Sequence, residues 1–471
     1  MKRRTALVAV GSLALGACVA GPPAEIATPS PTLPETYLFT PDEATGGSLV
    51  NLLPGNDPAF TALASQALAA SPTLGEAMAR LEQARAAADG ARAERMPDIG
   101  ANASVTGTRT NPAQFSSSLP PGIAIDTERV AYGANLTARW DPDIFGRLRA
   151  QERAALARVD AADASAAAVR IALLSEIAAS VIDSRTLDAR QAAIRQDVAA
   201  AESLARLSLV RERAGIAPGF DRVRAESAAA TSRSRLVALE SERARIVGRL
   251  VTLTALGGSD VRAALSPLSA PDTLPAAPPT LPSALLLNRP DIVSAAANLR
   301  AEDADLAAAA RRRFPSFGLS GAVGLLAYGL GNLFDTGSLV GSLGATIAGP
   351  LLDFGRIEAE IDGAEASKKA AFEAYRGTVY TALGETEAAY GLVAAADREA
   401  AAASEEASSL GRAAALAETR QRAGLADFLT VLEARRAADA SGERAAAALG
   451  RARRARVLLW QALGGGPVPA S

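Results

Sequence analysis

The sequence contains no histidine and a single cysteine, and only 4% of its residues are aromatic. Without histidine the chain lacks the commonest general base and the commonest metal ligand, and one cysteine cannot form a disulfide within the chain. Lysine and arginine number 49 against 51 aspartate and glutamate, so no basic excess favours nucleic acid as a partner. No catalytic motif is visible either. The sequence therefore predicts a protein that is not an enzyme and needs no cofactor or metal.

The N-terminal segment has the pattern of a secretory signal. Basic residues at positions 2–4 precede an apolar run at positions 5–16, which is shorter than the roughly 20 residues of a membrane-spanning helix. The run ends in Leu-Gly-Ala before Cys18, and these small residues match a bacterial lipobox. We expect cleavage after a signal peptide at 1–17 and a lipid on Cys18. The alternative is an ordinary Sec signal in which the cysteine occurs by chance. Val19, where other lipoproteins carry aspartate, favours an outer-membrane location.

Short motifs recur in the same order in two halves of the chain, which indicates one unit copied twice. Pro72 and Pro97 recur about 218 positions later as Pro290 and Pro315. The motifs that follow these prolines recur about 209 positions later: Phe145-Gly146-Arg147 returns as Phe354-Gly355-Arg356, and the Arg-Ala-Gly that ends at Gly215 returns as the one that ends at Gly424. The nine-residue difference lies between the two predicted strands of each half, where the first half has the longer loop.

Each half is predicted to contain a helix, two strands, a very long helix, a sharp tip and a return helix. The predicted organisation is a signal peptide (1–17), an N-terminal lipid-anchored extended segment (18–57), a first repeat (58–258), a Pro-rich linker (259–285), a second repeat (286–465) and a C-terminal tail (466–471).

Four segments of roughly ten residues alternate apolar with polar or small residues, which is the pattern and length of a tilted transmembrane β-strand. In the segment from Ile99 to Thr108 the polar side is Asn102, Ser104, Thr106 and Thr108. The apolar positions of the other three segments are Val130, Tyr132, Ala134, Leu136, Ala138 and Trp140; Phe317, Leu319, Val323 and Leu325; and Leu339, Leu343, Ala345 and Ile347. Tyr132, Trp140, Phe317 and Tyr328 are candidates for aromatic girdles at the membrane interfaces. The alternative is a soluble hairpin with one buried face.

Four strands cannot close a barrel, because closed bacterial barrels begin at about eight strands. An open sheet in lipid would leave unpaired edge groups that cost several kcal/mol each. Two copies would supply eight strands and three would supply twelve, and the strand count alone does not choose between them. No later stretch is expected to be long and apolar enough to cross the bilayer as a helix.

Two proline-free segments, 146–214 and 355–423, are predicted to be helices about 100 Å long. Apolar residues recur in them at coiled-coil spacing: Ile171, Leu174, Ile177 and Val181 in the first, and Val379, Leu383, Tyr390 and Val393 in the second. Each segment ends in a glycine, which is suited to the left-handed conformation that reverses a chain after a helix.

The longer motifs resemble the outer-membrane factor family of efflux tunnels (TolC/OprM-like, NodT-type). They are Trp-Asp-Pro-Asp-Ile-Phe-Gly-Arg from Trp140, Leu-Leu-Asn-Arg-Pro-Asp-Ile from Leu286, Arg-Phe-Pro-Ser-Phe-Gly-Leu from Arg313, and the two Arg-Ala-Gly tips. The resemblance implies a mainly α protein with a membrane β-barrel portion: a homotrimer with a twelve-stranded barrel and a twelve-helix periplasmic tunnel. It also implies a periplasmic adaptor (membrane fusion) protein and an inner-membrane pump of the RND type as partners.

The same resemblance assigns roles to residues at the two tips. The turns that match the family's adaptor-docking turns are Ala214, Gly215 and Ile216, and Ala423, Gly424 and Leu425. The candidates for the periplasmic gate are Asp221, Glu433, Asp427, Arg213 and Arg422. The position that corresponds to Asp221 in the second half is Thr430, which departs from the family's pattern.

The function expected from these features is passive conduction of drug-like or toxic small molecules through an outer-membrane channel. One alternative is a coiled-coil structural lipoprotein of the periplasm without a pore. Two others are a tunnel for metal-ion efflux and a tunnel for type I protein secretion. The alternating strands argue against a pore-free scaffold, which has no use for lipid-facing strands.

Overall fold

A computed structural model of the chain describes residues 33–40, 48–111, 128–216, 218–267 and 273–466. The predicted signal peptide and Cys18 lie outside the described residues, as do parts of the predicted N-terminal segment, linker and tail.

The described elements repeat in order, as the duplicated sequence predicts. In chain order they are α1 (Pro58–Ala70), α2 (Pro72–Ala93), β1 (Asp98–Arg109), β2 (Glu128–Trp140), α3 (Arg147–Arg213), α4 (Gly219–Thr254), α5 (Gly258–Leu265), α6 (Leu285–Asn288), α7 (Pro290–Ala310), β3 (Ser316–Ala327), β4 (Leu339–Ala348), α8 (Arg356–Arg422) and α9 (Phe428–Ala462). The order α2-β1-β2-α3-α4 thus returns as α7-β3-β4-α8-α9. The two long helices have 67 residues each and end where the sequence predicts.

Three of the described helices were not anticipated from the sequence. Helix α1 precedes the first predicted helix, and its start is stabilised by Asp57, whose side chain accepts a hydrogen bond from the backbone N–H of Ala59. It stops at Ser71, which is extended before Pro72 because the proline ring disfavours a helical residue in front of it. Helix α5 begins at the last residue of the predicted first repeat and continues into the predicted Pro-rich linker, and the short helix α6 lies where that linker ends.

The sequence predicts no membrane-spanning helix after the N-terminal signal, but one described helix is long and apolar enough to be a candidate. Within the described residues, α3 contains an 18-residue window with a mean hydropathy of 1.7, which passes by length and composition. Alanine raises the hydropathy of this window without adding bulk. Because 56% of the window is buried inside the protein, we interpret it as the core-facing part of a packed helix.

The described chain divides into two compact units. We call the first the strand unit, which contains residues 82–160 and 296–373, and the second the helical unit, which contains the described residues of 33–81, 161–295 and 374–466. The strand unit holds one antiparallel sheet in the order β1-β2-β3-β4. Helices α2, α3, α7 and α8 each have residues in both units.

The helical unit has a continuous apolar core. Leu174, Ile177 and Val181 of α3 are buried there with Tyr390 of α8 and Trp460 of α9. The remaining predicted coiled-coil positions are buried in this core or pack against it. The predicted helical periodicity is therefore confirmed.

Helices α3 and α9 approach closely at Gly450. A Cβ at this glycine would lie 2.3 Å from Oγ1 and 2.6 Å from Cγ2 of Thr186. The threonine cannot swing away freely, because it is β-branched and its hydroxyl donates to the carbonyl of Ile182. Gly442, eight residues earlier on α9, has no atom within 4 Å of the same position.

These two glycines give a matched pair of variants. Gly450→Ala should destabilise the protein by about 1–3 kcal/mol through overpacking. Gly442→Ala should be neutral or stabilise it by up to about 1 kcal/mol, because alanine is the better helix former. Thermal unfolding followed by circular dichroism at 222 nm measures both. Equal melting temperatures for the two variants would contradict the close helix contact.

Candidate functional site

One face of the sheet is apolar and exposed. Strand pairing sets Ala101, Leu136, Val323 and Gly341 side by side across the four strands. Eight large apolar side chains on this face are between 43% and 91% exposed: Ile99, Val105, Val130, Leu136, Val323, Leu339, Leu343 and Ile347. Others on the same face are less exposed, with Leu319 at 41%, Trp140 at 40%, and Tyr132, Phe317 and Leu325 half-buried. A continuous exposed apolar face of this kind marks an interaction with membrane or protein. The predicted alternation places it against lipid.

The opposite face is mostly polar or small. Asn102 lies beside Asn135, which lies beside Gly324. A Cβ at Gly324 would be 2.2 Å from Oδ1 of Asn135 and 2.3 Å from the backbone carbonyl oxygen of Ala134, so this position has no room for a side chain. Leu326 and Val340 are exposed apolar exceptions on this face. The arrangement suits a water-filled lumen on one side and hydrocarbon on the other.

The outer edges of the sheet belong to β1 and β4, and among the described residues each of these strands pairs with one neighbour only. Their other edges carry backbone N–H and C=O groups along 12 and 10 residues. In hydrocarbon each unpaired group costs several kcal/mol. The apolar face and the open edges together mean that this sheet is incomplete as a single copy.

The aromatic side chains lie near the two ends of the strands. Tyr132 pairs with Ala327, next to Tyr328, whose ring lies 5.5 Å from the guanidinium carbon of Arg129. At the other end Trp140 is exposed, and its indole N–H donates to the carbonyl of Arg95 at 3.0 Å. Phe317, also near that end, packs against Phe145. Amphipathic rings at both ends of a membrane-facing strand are typical of interfacial belts.

The two long helices end in the same way. Gly215 has a φ of 72° and Gly424 a φ of 76°, the left-handed conformation that glycine adopts without strain. The N–H of Ile216 donates to the carbonyl of Arg211 at 3.0 Å, and that of Leu425 donates to Arg420 at 2.8 Å. These bonds are those of a Schellman cap, which satisfies the last carbonyls of the helix.

The six predicted docking residues lie on these two turns and all are exposed. Ile216 and Leu425 are the large apolar members, and each projects from a tip that is otherwise small. An exposed apolar residue repeated at both tips is suited to contact with another protein.

The gate candidates are spread over the two tips. Asp221 is half-buried in the first turn of α4, and Glu433 is exposed near the start of α9. Asp427 caps α9, because its carboxylate accepts from the backbone N–H of Thr430 at 2.8 Å and from the hydroxyl of the same residue. These two hydrogen bonds hold the pKa of Asp427 below its usual value.

The arginines at the tips complete the set. Arg213 is exposed, and Arg422 lies 3.7 Å from Glu418 one turn earlier on α8. Within the described part of one chain, no ion pair joins Asp221 or Glu433 to either arginine. A single chain therefore does not assemble the five gate candidates, and their role remains a prediction.

Sequence reasoning missed a cavity beside the tips. It has a volume of about 760 Å³ and lies among α3, α4, α8 and α9 in the helical unit. Asp197 and Asp439 line it from α3 and α9, together with Arg235 and Arg435. Arg235 lies 4.0 Å from Asp197, and Arg435 pairs with Glu418 at 2.6 Å.

One aspartate of this cavity has a strongly raised pKa. Burial, together with the adjacent Asp197 carboxyl, raises the pKa of Asp439 to about 7, against the opposing influence of Arg435 and Arg235. Burial disfavours the ionised carboxylate, and a neighbouring carboxyl adds to that effect, so Asp439 gains a proton more readily than a solvated aspartate does. Nothing in the sequence singles out the two aspartates, because they are 242 positions apart (439 − 197) on helices with many solvated charges.

A duplicated chain of β-hairpins and long helices, with a lipid-facing sheet, defines the class of outer-membrane channels whose helices extend from a membrane barrel. Comparison with known proteins agrees with this class. The sequence profile of the family described as outer membrane efflux protein matches residues 63–256 and 281–465. The chain belongs to this family. It is therefore the outer-membrane channel component of an efflux system, and its role is transport.

Individual relatives show how far the similarity extends. The chain is 33% identical over 414 residues to the pyoverdine export outer membrane protein OpmQ of Pseudomonas aeruginosa, covering 87% of this chain and 85% of OpmQ. It is 32% identical over 420 residues to the toluene efflux pump outer membrane protein TtgI of Pseudomonas putida, covering 87% and 86%. The structure of the outer-membrane channel OprN superposes with a TM-score of 0.84 at 27% identity, covering 95% of this chain and 99% of that one.

The raised pKa of Asp439 predicts a specific dependence of stability on pH. The folded-state value of about 7 lies above the usual 3.8, so this group stabilises the fold fully below about pH 4. That contribution is lost as the pH rises to about 7. Because the chain has no histidine, few other groups titrate between pH 5 and 7.

The test compares Asp439→Asn with the parent protein. The parent's melting temperature should fall between pH 4.5 and 7.5, and the variant should lose part of that slope because asparagine does not titrate. The control is Glu399→Gln, which removes an exposed carboxylate whose pKa is held low by Arg451 and should keep the parent's slope. An unchanged slope in Asp439→Asn would show that the pKa of Asp439 is not raised in the folded protein.

Proposed function

We propose that three copies of this chain form one channel that carries small molecules across the periplasm and the outer membrane. The observation that supports this most directly is the sheet with an exposed apolar face and two open edges. Other copies of the same chain are the simplest source of strands for those edges. Three copies would supply twelve strands and twelve helical rods.

The width of the lumen favours three copies over two. Helices pack about 8–10 Å apart and are about 10 Å across. A ring of twelve rods then leaves a bore of roughly 20–30 Å, whereas eight rods leave about half of that. OpmQ is named for pyoverdine and TtgI for toluene. We propose that this chain likewise exports drug-like or toxic organic molecules, which the wider bore passes without selecting among them.

The helical end of the channel is proposed to meet a periplasmic adaptor, and through it an inner-membrane pump of the RND type. The exposed turns at Gly215 and Gly424 are the proposed docking surface. Ile216 and Leu425 would supply the apolar contacts, and the rigid Schellman caps would hold them in position at little entropic cost.

A charge at Leu425 tests this docking surface without straining the backbone, because this residue follows the left-handed glycine. Leu425→Glu should reduce export at least several-fold, since a buried unpaired charge opposes the contact. The control is Leu416→Glu, which alters an exposed leucine within α8, before the turn, and should leave export unchanged. Accumulation of a fluorescent efflux dye in complemented cells, with equal amounts of both variants in the outer membrane, measures the effect. Full export by Leu425→Glu would remove this turn from the docking surface.

The gate is proposed to be a ring of carboxylates at the helical end. In a threefold channel, three copies of Glu433 would face a shared aperture. Asp221, Asp427, Arg213 and Arg422 are proposed as contacts that hold the aperture shut. The support is their position: all five lie at or within about three helical turns of the two exposed tips. A ring of negative charge at a narrow aperture attracts cations and slows anions.

Substitution of Glu433 tests the ring. Glu433→Gln should lower the cation selectivity of the channel in a planar bilayer and weaken block by hexamminecobalt(III) added on the periplasmic side. The effect should shrink at 1 M salt, where the Debye length falls to about 3 Å. Glu405→Gln, about 28 Å up α8 from Gly424, is the control and should behave as the parent does. Unaltered reversal potential and block in Glu433→Gln would place the carboxylate ring elsewhere.

A further inference from the structure

The two hairpins of the sheet have the same internal register. In the first hairpin Asp98 pairs with Arg139, and in the second Ser316 pairs with Ala348. Ser316 lies 218 positions after Asp98 (316 − 98), and Ala348 lies 209 positions after Arg139 (348 − 139). These are the offsets at which the proline and Phe-Gly-Arg motifs repeat. The duplication therefore holds for strand pairing residue by residue.

One further pairing joins the two hairpins within the chain. The second strand of the first hairpin pairs with the first strand of the second, and Leu136 lies opposite Val323. The residue of β4 that is equivalent to Leu136 of β2 is Ala345, 209 positions later. The residue of β1 that is equivalent to Val323 of β3 is Val105, 218 positions earlier. Both of these strands have an open edge.

We infer that β4 of one copy pairs antiparallel with β1 of the next copy in one register, with Ala345 opposite Val105. This rests on the proposed assembly of several copies into one channel. The same register sets Ile347 opposite Ala103, and Leu343 opposite Gly107. This pairing between copies has the same register as the pairing of β2 with β3, which joins the two halves of one chain.

The faces of the sheet agree with this register. Every residue just named on β1 and β4 lies on the exposed apolar face, so the lipid-facing surface continues across the junction. A slip of one residue would turn one strand's apolar side chains into the lumen. A slip of two residues would keep the faces, so a second feature is needed to exclude it.

That second feature is an aromatic contact at the helix end of the strands. Phe145 stacks on Phe314, with ring centroids 4.8 Å apart and planes at 14°, and lies 6.2 Å from Phe317. By the same offsets, Phe354 is equivalent to Phe145, Met96 to Phe314 and Ile99 to Phe317. In one copy Phe354 is 91% exposed, Met96 57% and Ile99 72%.

Phe354 of one copy therefore packs against Met96 and Ile99 of the next. The contact forms in the inferred register, in which Phe354 lies beside the start of the neighbouring β1 as Phe145 lies beside the start of β3. A slip of two residues moves β1 by roughly 7 Å along β4 and separates the phenyl ring from its two partners. Because only the inferred register brings the ring against both partners, this contact disfavours slipped pairings.

Disulfide trapping tests the register. Two double variants place cysteines opposite each other: Ala345→Cys with Val105→Cys, and Thr346→Cys with Ser104→Cys. One of the pairs is of the non-hydrogen-bonded type, in which the Cα atoms are about 4.5 Å apart and a disulfide can form. Oxidation of the membrane-embedded protein should convert it to covalently linked trimers. Cys18 is present in every variant and in the parent, so the parent measures its contribution.

Matched controls use the pairing within the chain and the slipped pairings. Leu136→Cys with Val323→Cys, and Thr137→Cys with Ala322→Cys, occupy the equivalent positions between β2 and β3 and should link within one chain. Ala345→Cys combined with Ala103→Cys or with Gly107→Cys represents a slip of two residues and should link several-fold less. Stronger linkage in a slipped pair, with the trimer mass retained, would overturn the register and leave the proposed channel intact. A monomeric parent protein would instead overturn the proposed assembly.

Truncation of the ring tests the contact independently. Phe354→Ala should leave the secondary structure unchanged and lower the fraction of trimer that survives heating in mild detergent roughly tenfold at a fixed temperature. Phe334→Ala removes an equally exposed phenyl ring from the turn between β3 and β4 and should leave the trimer as stable as the parent. Equal trimer survival in both variants would show that Phe354 does not hold the neighbouring copy.

Discussion

Unpaired backbone groups in hydrocarbon are the constraint on which the rest of this structure depends. The sheet of one chain presents an apolar face to lipid, yet β1 and β4 each keep one open edge among the described residues. Hydrocarbon supplies no water to satisfy these groups, so the edges must be paired by protein. The duplication meets this requirement, because the strand pairing that joins the two halves of one chain can also join two copies. Both the proposed ring and its register follow from the same requirement.

The helical part obeys a different rule, in which small side chains permit close packing. Alanine and glycine let α3 and α9 approach until a Cβ at Gly450 would overlap Thr186. The bulk of the core is concentrated in few residues, among them Tyr390 and Trp460. Close packing of long rods gives rigidity over a large distance with few aromatic residues. That rigidity is what a channel wall needs when its two ends act on different partners.

The charged residues near the tips show where this packing is less complete. Asp197 and Asp439 line the same cavity, and burial beside Asp197 raises the pKa of Asp439. Arg235 and Arg435 offset part of the cost of burying these groups, but they also pair with other carboxylates. The packing near the tips therefore contains buried charged groups, whereas the core around Trp460 is apolar. The gate proposed for this end would draw on that difference, because a fully apolar core resists opening.

Local patterns in the sequence determined the element order, the ends of the long helices, the tip glycines and the lipid-facing residues of each strand. These features depend on periods of two or 3.6 residues and on glycine's access to positive φ, which neighbouring residues reveal. The sequence did not reveal helix α1, the adjacent carboxyls of Asp197 and Asp439, or the contrast between Phe354, which is 91% exposed, and Phe145, which stacks on Phe314. Each depends on contacts between residues far apart in the chain. Burial and pairing are decided only when the helices and strands come together, because the pKa of an aspartate is ordinary on a solvated helix face and is raised when that face is buried beside another carboxyl.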